Sequence, residues 1–281
     1  MLKQRVITAL LMLAILLPAV FYPNSAAFSA FALILIAAGA WEWGRLNQCG
    51  QSTSIAVAGL CAVVCLLAWY GGLLQRPMKE LWLLSGSGWV LLGAWLLNGG
   101  VKAWSSVPQA LRLAGGLFAL VVAWMAVAQA RMIGINFLFS VLVLVWVADI
   151  FAYFFGRAFG GRFIARKLAP NISPGKTWEG AFGGMFGVVG CALIWQVMDS
   201  KLPLAVPSLY SRLFDVHWGF MVLAVLFLAS MSVVGDLVES LFKRSAGVKD
   251  SSGLLPGHGG VLDRVDALLP ILPLAMMFAS L

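Results

Sequence analysis

Acidic side chains crowd into one part of this sequence. Of its eleven Asp and Glu residues, five fall within 31 positions near the carboxyl end, and two more flank an earlier polar segment. Crowded carboxylates repel one another unless a cation lies between them. Oxygen ligands of this kind suit Mg²⁺, which keeps several waters and shares substrate phosphates. The five are Asp236, Glu239, Asp250, Asp263 and Asp266, and the two are Asp149 and Glu179.

The spacing of these acids predicts that two helix ends bring them together. Four polar residues recur at i, i+3, i+4 and i+7, which places them on one face of a helix. Asp263 and Asp266 are three positions apart and share a face at the start of the next helix. The Gly-rich segment 245–260 between the two helices predicts a surface or re-entrant loop. The four residues with helical spacing are Asp236, Glu239, Ser240 and Lys243.

Basic residues are interleaved with these acids, and they indicate a second kind of ligand. Cations beside a metal cluster are not needed for the metal alone, but they would compensate the charges of a triphosphate or a lipid phosphate. His258 stands between two glycines and could be a base, a metal ligand or a donor to substrate. Salt bridges that only hold helices together are the alternative. The interleaved bases are Lys243, Arg244, Lys249 and Arg264.

A second polar segment begins inside an apolar run. Asp149, Tyr153 and Arg157 recur at four-residue steps, which places them on one stripe of a helix. A carboxylate within a membrane helix costs about 2.5–3.5 kcal/mol on insertion scales, so Asp149 and Asp236 need partners or a cavity. The further bases of this segment are Arg162, Arg166 and Lys167.

The run 173–180, Ser-Pro-Gly-Lys-Thr-Trp-Glu-Gly, could form an anion site. Its Gly-Lys-Thr part resembles the tail of a P-loop. However, Pro170 occupies the position of the first glycine and no strand precedes it, which excludes a P-loop NTPase. Ser173 is predicted to cap the following helix, with a proline at the first helical position. Free N–H groups there, together with Lys176, would bind an anion; an ordinary basic loop is the alternative.

The composition indicates that lipid surrounds most of the chain. The 281 residues are 62% hydrophobic and only 11% charged, too few charges to cover a soluble protein of this size. Because no soluble domain is predicted to present the net charge of +8, we expect no nucleic-acid partner. A membrane helix needs about 20 apolar residues. The predicted spans are 6–22, 26–43, 54–74, 81–98, 113–130, 133–156, 180–198, 218–242 and 261–281.

These spans predict an all-α fold, a polytopic transmembrane helix bundle of about nine spans. It would form a single integral membrane domain over 1–281, in which 1–130 carries no motif and 131–281 carries the polar clusters. Nine spans place loops 157–179 and 243–260 on the same face. That face collects 14 Lys and Arg against 5 on the other, which predicts that it is cytoplasmic. Without the bases of those two loops and Arg264, however, 5 against 5 remain.

Small residues line the seventh predicted span. Glycines at three- and four-residue steps permit close helix approach. The approach would be within the bundle or, as the alternative, between two copies in a homodimer. The glycines are Gly180, Gly183, Gly184, Gly187 and Gly190.

The segment 240–266 resembles the signature of phosphatidate cytidylyltransferases, also called CDP-diacylglycerol synthases. The pattern matches at every fixed position over 27 residues. The run 173–180, and nine spans with the signature before the last of them, also resemble this family. Spans one to five carry no matching motif. The signature reads Ser240, Lys243-Arg244, Lys249-Asp250, Pro256-Gly-His258-Gly259-Gly260 and Asp263-Arg264-Val-Asp266.

The resemblance implies a reaction. The phosphate oxygen of phosphatidic acid would attack the α-phosphorus of CTP and release pyrophosphate, at the cytoplasmic face of the inner membrane. Mg²⁺ would bind at the site, with K⁺ as an accompanying monovalent cation, and membrane lipids would be the surrounding partners. Arg157, Arg162 or Arg166 would contact the lipid headgroup.

The resemblance also implies roles for individual residues. Those implied in catalysis are Asp236, Asp263, Lys249, Asp250, His258 and Arg264. Those implied in substrate binding are Ser173, Lys176, Thr177, Ser240, Lys243, Arg244, Gly259 and Gly260. Those implied as metal ligands are Asp236, Asp263 and Asp266.

Three other classes of protein compete with this interpretation. An ion-coupled transporter would use the intramembrane aspartates, but it predicts inverted repeats, whereas the polar residues here crowd into the second half. A transferase that consumes CDP-lipid would carry a different aspartate pattern. A non-catalytic assembly protein would not need acids and bases together at one membrane edge.

Overall fold

The computed structural model describes residues 2–202 and 204–281, except for the side chains of residues 2–5 and 9. Within these ranges the chain is helical, as predicted, and its isolated bridges do not extend into strands. The helices are α1 (Leu2–Phe21), α2 (Ser25–Leu46), α3 (Gln51–Tyr70), α4 (Lys79–Ser106), α5 (Gln109–Ile133), α6 (Ile135–Phe159), α7 (Trp178–Lys201), α8 (Leu209–Val216), α9 (Trp218–Ser245), α10 (Leu262–Val265) and α11 (Leu268–Ala279), with a 3₁₀ turn at Leu73–Gln75.

Seven of these helices, α2 to α7 and α9, are long and apolar enough to cross a membrane. The first predicted span corresponds to α1. The ninth is interrupted, because α10 is a short turn and α11 carries the apolar residues. Pro270 has no N–H to donate to the carbonyl of Asp266, four residues earlier, so the helical hydrogen bonding is broken there. The amphipathic helix α8 was not predicted.

The order of the helices puts the loops 157–179 and 243–260, which we call the motif loops, at one end of the bundle, as the sequence predicts. Arg244 Nε, at the end of α9, donates to the carbonyl of Ile172 in the α6–α7 loop at 3.2 Å. At the opposite end, Arg131 donates to the carbonyls of Val20 and Tyr22, each at 2.7 Å. We call the first end the motif face.

The glycine-lined side of α7 is packed against α6. A Cβ atom at Gly183 would collide with Phe155, and one at Gly187 would collide with Phe151. These glycines therefore serve close approach within the bundle, which confirms the intramolecular alternative and positions the α6–α7 loop.

Candidate active site

The polar face at the end of α9 forms as predicted. Ser240 Oγ donates to Asp236 Oδ1 at 3.3 Å, and Lys243 pairs with Glu239 one turn away. The Lys243 ammonium also reaches Asp263 Oδ1, at 2.6 Å, across the loop that joins α9 to α10. One cation thus connects the two helix ends that the sequence predicts to converge.

Asp263 anchors the loop that precedes it. Its Oδ2 atom accepts hydrogen bonds from Ser251 N and Ser251 Oγ, both at 2.9 Å, and from Gly260 N at 2.8 Å. Asp263 lies in α10, the short helical turn that precedes α11. Burial of this carboxyl opposes its ionisation, but the hydrogen bonds that it accepts outweigh burial and hold its pKa below the ordinary value.

The second motif segment meets the first through Lys176. Its ammonium lies 2.6 Å from Asp236 Oδ2. Lys176 N donates to Ser173 O at 3.1 Å, which closes a turn with proline and glycine at its centre. This turn makes the predicted cap wrong: α7 begins at Trp178, and Thr177 caps it by accepting from Gly180 N at 3.1 Å.

Glu179 fixes the start of the same loop. Its Oε1 atom accepts from the backbone N–H groups of Phe163 and Ile164, at 3.1 and 2.9 Å. Together with the Arg244 contact to Ile172, this holds the loop over the end of α9. Arg244, for which the resemblance implies phosphate binding, also donates to Val248 O at 3.1 Å and so connects the two motif loops.

Polar side chains of the signature loop line a cleft of about 530 Å³, which we call the signature cleft. His258 Nδ1 is buried there and has no hydrogen-bond partner among the described residues. Gly257 and Gly259 have φ angles of 78° and 80°, which only glycine adopts readily. The lining residues are Lys249, Asp250, Ser252, Gly253, Leu255, Gly257, His258, Gly259 and Arg264.

A second cleft, of about 510 Å³, opens between α6 and α7 and reaches α9. The predicted stripe of α6 lies in it, since Asp149, Tyr153 and Arg157 all line its wall, and Arg157 donates to the Tyr153 hydroxyl at 3.1 Å. Lys176 and Asp236 lie at its α9 end. We call it the α6–α7 cleft.

The oxygen ligands of the site suit a hard cation. Among the described residues, no three His, Cys, Asp or Glu side chains are already gathered as metal ligands. Asp149 and Asp236 nevertheless line the same cleft, and the Asp266 backbone packs against Gly235, next to Asp236. Lysine ammonium groups pair with two of the predicted ligands, Asp236 and Asp263. Carboxylate oxygens with room for water and phosphate fit Mg²⁺.

Glu42 of α2 is a residue of the site that the sequence did not indicate. It is fully buried, and its carboxylate accepts four hydrogen bonds from the signature segment. Ser251 Oγ and Ser252 Oγ donate at 3.0 and 2.5 Å, and the N–H groups of Val261 and Leu262 donate at 2.9 and 2.7 Å. Its only sequence signal was an isolated acid in an apolar run.

Comparisons with known proteins extend over the whole chain. A model described as "Cytidylyltransferase family" matches residues 3–281. The chain is 39% identical to the phosphatidate cytidylyltransferase of Pseudomonas aeruginosa, with 100% of this chain and 97% of the relative covered. It is 34% identical to that of Haemophilus influenzae, with 99% and 98% covered, and 34% identical to that of Brucella abortus, with 100% and 94% covered.

Proposed function

Because this chain belongs to the cytidylyltransferase family, we propose that it is a membrane enzyme that makes CDP-diacylglycerol and pyrophosphate from CTP and phosphatidic acid. The observation that carries this proposal is the pairing of Lys176 with Asp236, because it joins the two motif segments at one point. The Lys176–Asp236 pair lines the α6–α7 cleft, and the signature loop lines the other cleft. Two clefts rich in cations suit two phosphate-bearing substrates.

The transfer is one displacement at phosphorus. An oxygen of the lipid phosphate forms a bond to the α-phosphorus of CTP, and the bond from that phosphorus to the β-phosphate oxygen breaks. The electron pair leaves with pyrophosphate. Such a reaction depends on positioning and on charge stabilisation rather than on a protein nucleophile.

The charged residues of the two clefts divide the phosphates between them. Lys249, Arg264 and His258 would hold the triphosphate in the signature cleft and stabilise the leaving pyrophosphate. Arg157 and Tyr153 would hold the lipid phosphate in the α6–α7 cleft, beside the bilayer. Lys176 also lines the α6–α7 cleft, and Lys243 is paired with Asp263 at the signature loop. Each lysine could exchange its carboxylate partner for a phosphate oxygen.

Mg²⁺ would be held by Asp236, Asp263 and Asp266, with K⁺ as an accompanying cation. When bound, the metal supplies positive charge that the triphosphate needs. The carboxylates themselves keep Lys176 and Lys243 in place, because each lysine is paired with one of them. Removal of divalent metal with a chelator should abolish turnover, and Mg²⁺ should restore it.

The motif face is proposed to lie on the cytoplasmic side of the inner membrane, where CTP is available. Its excess of Lys and Arg supports this orientation. A homodimer stays a prediction. The glycine-lined side of α7 does not support it, because α6 already packs against that side.

Purified protein in detergent or nanodiscs tests the reaction directly. With labelled CTP, phosphatidic acid and Mg²⁺, we expect labelled CDP-diacylglycerol and one pyrophosphate per product. Diacylglycerol and phosphatidylcholine should not react, because neither carries a phosphomonoester to attack phosphorus. Product from diacylglycerol, or none from phosphatidic acid, would contradict the proposal.

Gly260→Ala should lower turnover by about 10- to 100-fold, which corresponds to roughly 1–3 kcal/mol of overpacking. A Cβ atom there would collide with Ser251 Oγ and with the Glu42 carboxylate, so the loop must shift. Gly190→Ala on α7 is the control, because its Cβ would meet nothing within 4 Å and it lines neither cleft. Steady-state rates of both variants measure the difference, and equal rates would show that this packing does not matter.

A further inference from the structure

An apolar groove lies on the side of α9 opposite the α6–α7 cleft. It measures about 340 Å³ and runs between α4 and α5, with α9 as its floor. We call it the α4–α5 groove. Asp236 faces the cleft, whereas Val238 and Phe242 face the groove, so the helix separates the two. Residues that represent its lining are Leu92, Trp95, Gly115, Phe118, Val238 and Phe242.

The length and position of the groove match one leaflet of a bilayer. Along α5 its lining extends from Leu111 to Val122, a distance of about 16 Å at 1.5 Å per residue. Half of a hydrocarbon core is about 15 Å. The groove starts at the motif face, and Leu92, Trp95 and Phe118 at its edges are exposed. It is therefore accessible to acyl chains of the leaflet on that side.

A cation stands at the end of the groove on the motif face. The guanidinium group of Arg112 lies over the Trp104 ring, 5.7 Å from its centroid. Its Nε atom is buried and lacks a hydrogen-bond partner in the described part of the chain. Glu239 is the acidic residue in the lining, and it is already paired with Lys243. An anionic headgroup would complement this end.

We propose that the α4–α5 groove binds one acyl chain of an anionic phospholipid, with the lipid phosphate against Arg112. This lipid is distinct from the reacting one, because α9 lies between the groove and the α6–α7 cleft. It would pack behind the Glu239–Lys243 pair that supports Asp263. The inference does not depend on the proposed reaction, since binding can be measured without CTP.

Gly115 offers a way to fill the groove without disturbing the protein. A Cβ atom at Gly115 would meet nothing within 4 Å, so Gly115→Leu projects into the open groove. Gly59→Leu on α3 is the matched control, because its Cβ is equally unobstructed and it lies outside the groove. Both changes replace a helical glycine by a good helix former.

The test uses the full-length protein in nanodiscs with phospholipids that carry a diazirine on the acyl chain. Three probes, phosphatidylglycerol, phosphatidic acid and phosphatidylcholine, are compared at equal mole fraction, and the labelled peptides are mapped by mass spectrometry. We expect both anionic probes to label α4 and α5 several-fold more than phosphatidylcholine does. Gly115→Leu should lower this labelling several-fold, Gly59→Leu should not, and Arg112→Gln should remove the preference for anionic lipid.

Several results would overturn the inference. Labelling of the groove that is no stronger than labelling of the exposed Leu67 on α3, or that is unchanged in Gly115→Leu, would show that no lipid chain is held there. Equal labelling by all three probes would remove the role of Arg112. Labelling by phosphatidic acid alone would assign the groove to the reacting lipid, and a change of oligomer size in Gly115→Leu would assign it to a second copy of the chain.

Discussion

Asp263→Asn is expected to abolish CTP-dependent product formation, with a loss of at least about a thousandfold, while folded protein remains in the membrane. The carboxylate has two duties that an amide cannot perform together. Oδ1 forms an ion pair with the Lys243 ammonium, and Oδ2 accepts hydrogen bonds from the N–H groups of Ser251 and Gly260. The amide lacks the charge that both the lysine and a metal need, and losing one preorganised electrostatic group costs about a hundredfold to a thousandfold in other enzymes.

The measurement is turnover of labelled CTP across a range of Mg²⁺ concentrations, together with thermal unfolding in detergent. Asp215→Asn is the neutral control, because Asp215 is exposed in α8, which adjoins the start of α9, and the motif face lies at the other end of α9. Near-normal turnover of Asp263→Asn at limiting Mg²⁺ would show that Asp263 does not support the metal centre. Loss of folded protein would instead show that its role is structural.

The polar face of α9 was predictable because it depends on local periodicity. Asp236, Ser240 and Lys243 follow the helical repeat, and any regular helix must place them together. The stripe on α6 was predictable for the same reason. The nine apolar runs also gave the order of the helices, and hence the common face of the two motif loops. These features require only the geometry of one helix and the thickness of a bilayer.

Details that depend on contacts between segments were not predictable in this way. The sequence favoured Ser173 as the cap of α7, but Thr177 takes that position because the intervening Pro-Gly pair closes a turn. Lys176 and Lys243 were expected to bind phosphate. In the structure Lys176 pairs with Asp236, 60 positions away, and Lys243 pairs with Asp263, 20 positions away. The amphipathic helix α8 was missed because its eight residues are too short for a span.

Glu42 is the clearest example of a site residue that the sequence could not predict, because it lies about 210 positions from the loop that it holds. In the sequence it is an isolated acid within an apolar span that carries no family motif. In the structure it accepts hydrogen bonds from two serine hydroxyl groups of the signature loop and from two backbone N–H groups at the start of α10. A buried carboxylate is stable only when such donors surround it. The N-terminal helices therefore help to shape the site although they contribute no motif.

Glu42→Ala should lower the free energy of unfolding by about 3 kcal/mol and lower turnover at least about a hundredfold. The change leaves the Ser252 hydroxyl and the N–H groups of Val261 and Leu262 without an acceptor, whereas the Ser251 hydroxyl keeps Asp263. Each buried unsatisfied group costs about 1–3 kcal/mol unless water reaches it. Glu42→Gln keeps the volume but can satisfy only some of the donors, so it should lie between wild type and Glu42→Ala. Thermal unfolding in detergent and turnover of labelled CTP measure the two effects.

Glu80→Ala provides the control, since Glu80 is exposed in the first turn of α4. A purely structural role for Glu42 would lower the amount of folded protein and leave the KM for CTP and the kcat per folded molecule unchanged. A positioning role predicts that the folded fraction of Glu42→Gln has a lower kcat, because Gly260 and Ser251 no longer hold Asp263 in place. An unchanged kcat in the folded fraction would therefore show that Glu42 stabilises the fold without positioning Asp263 for the reaction.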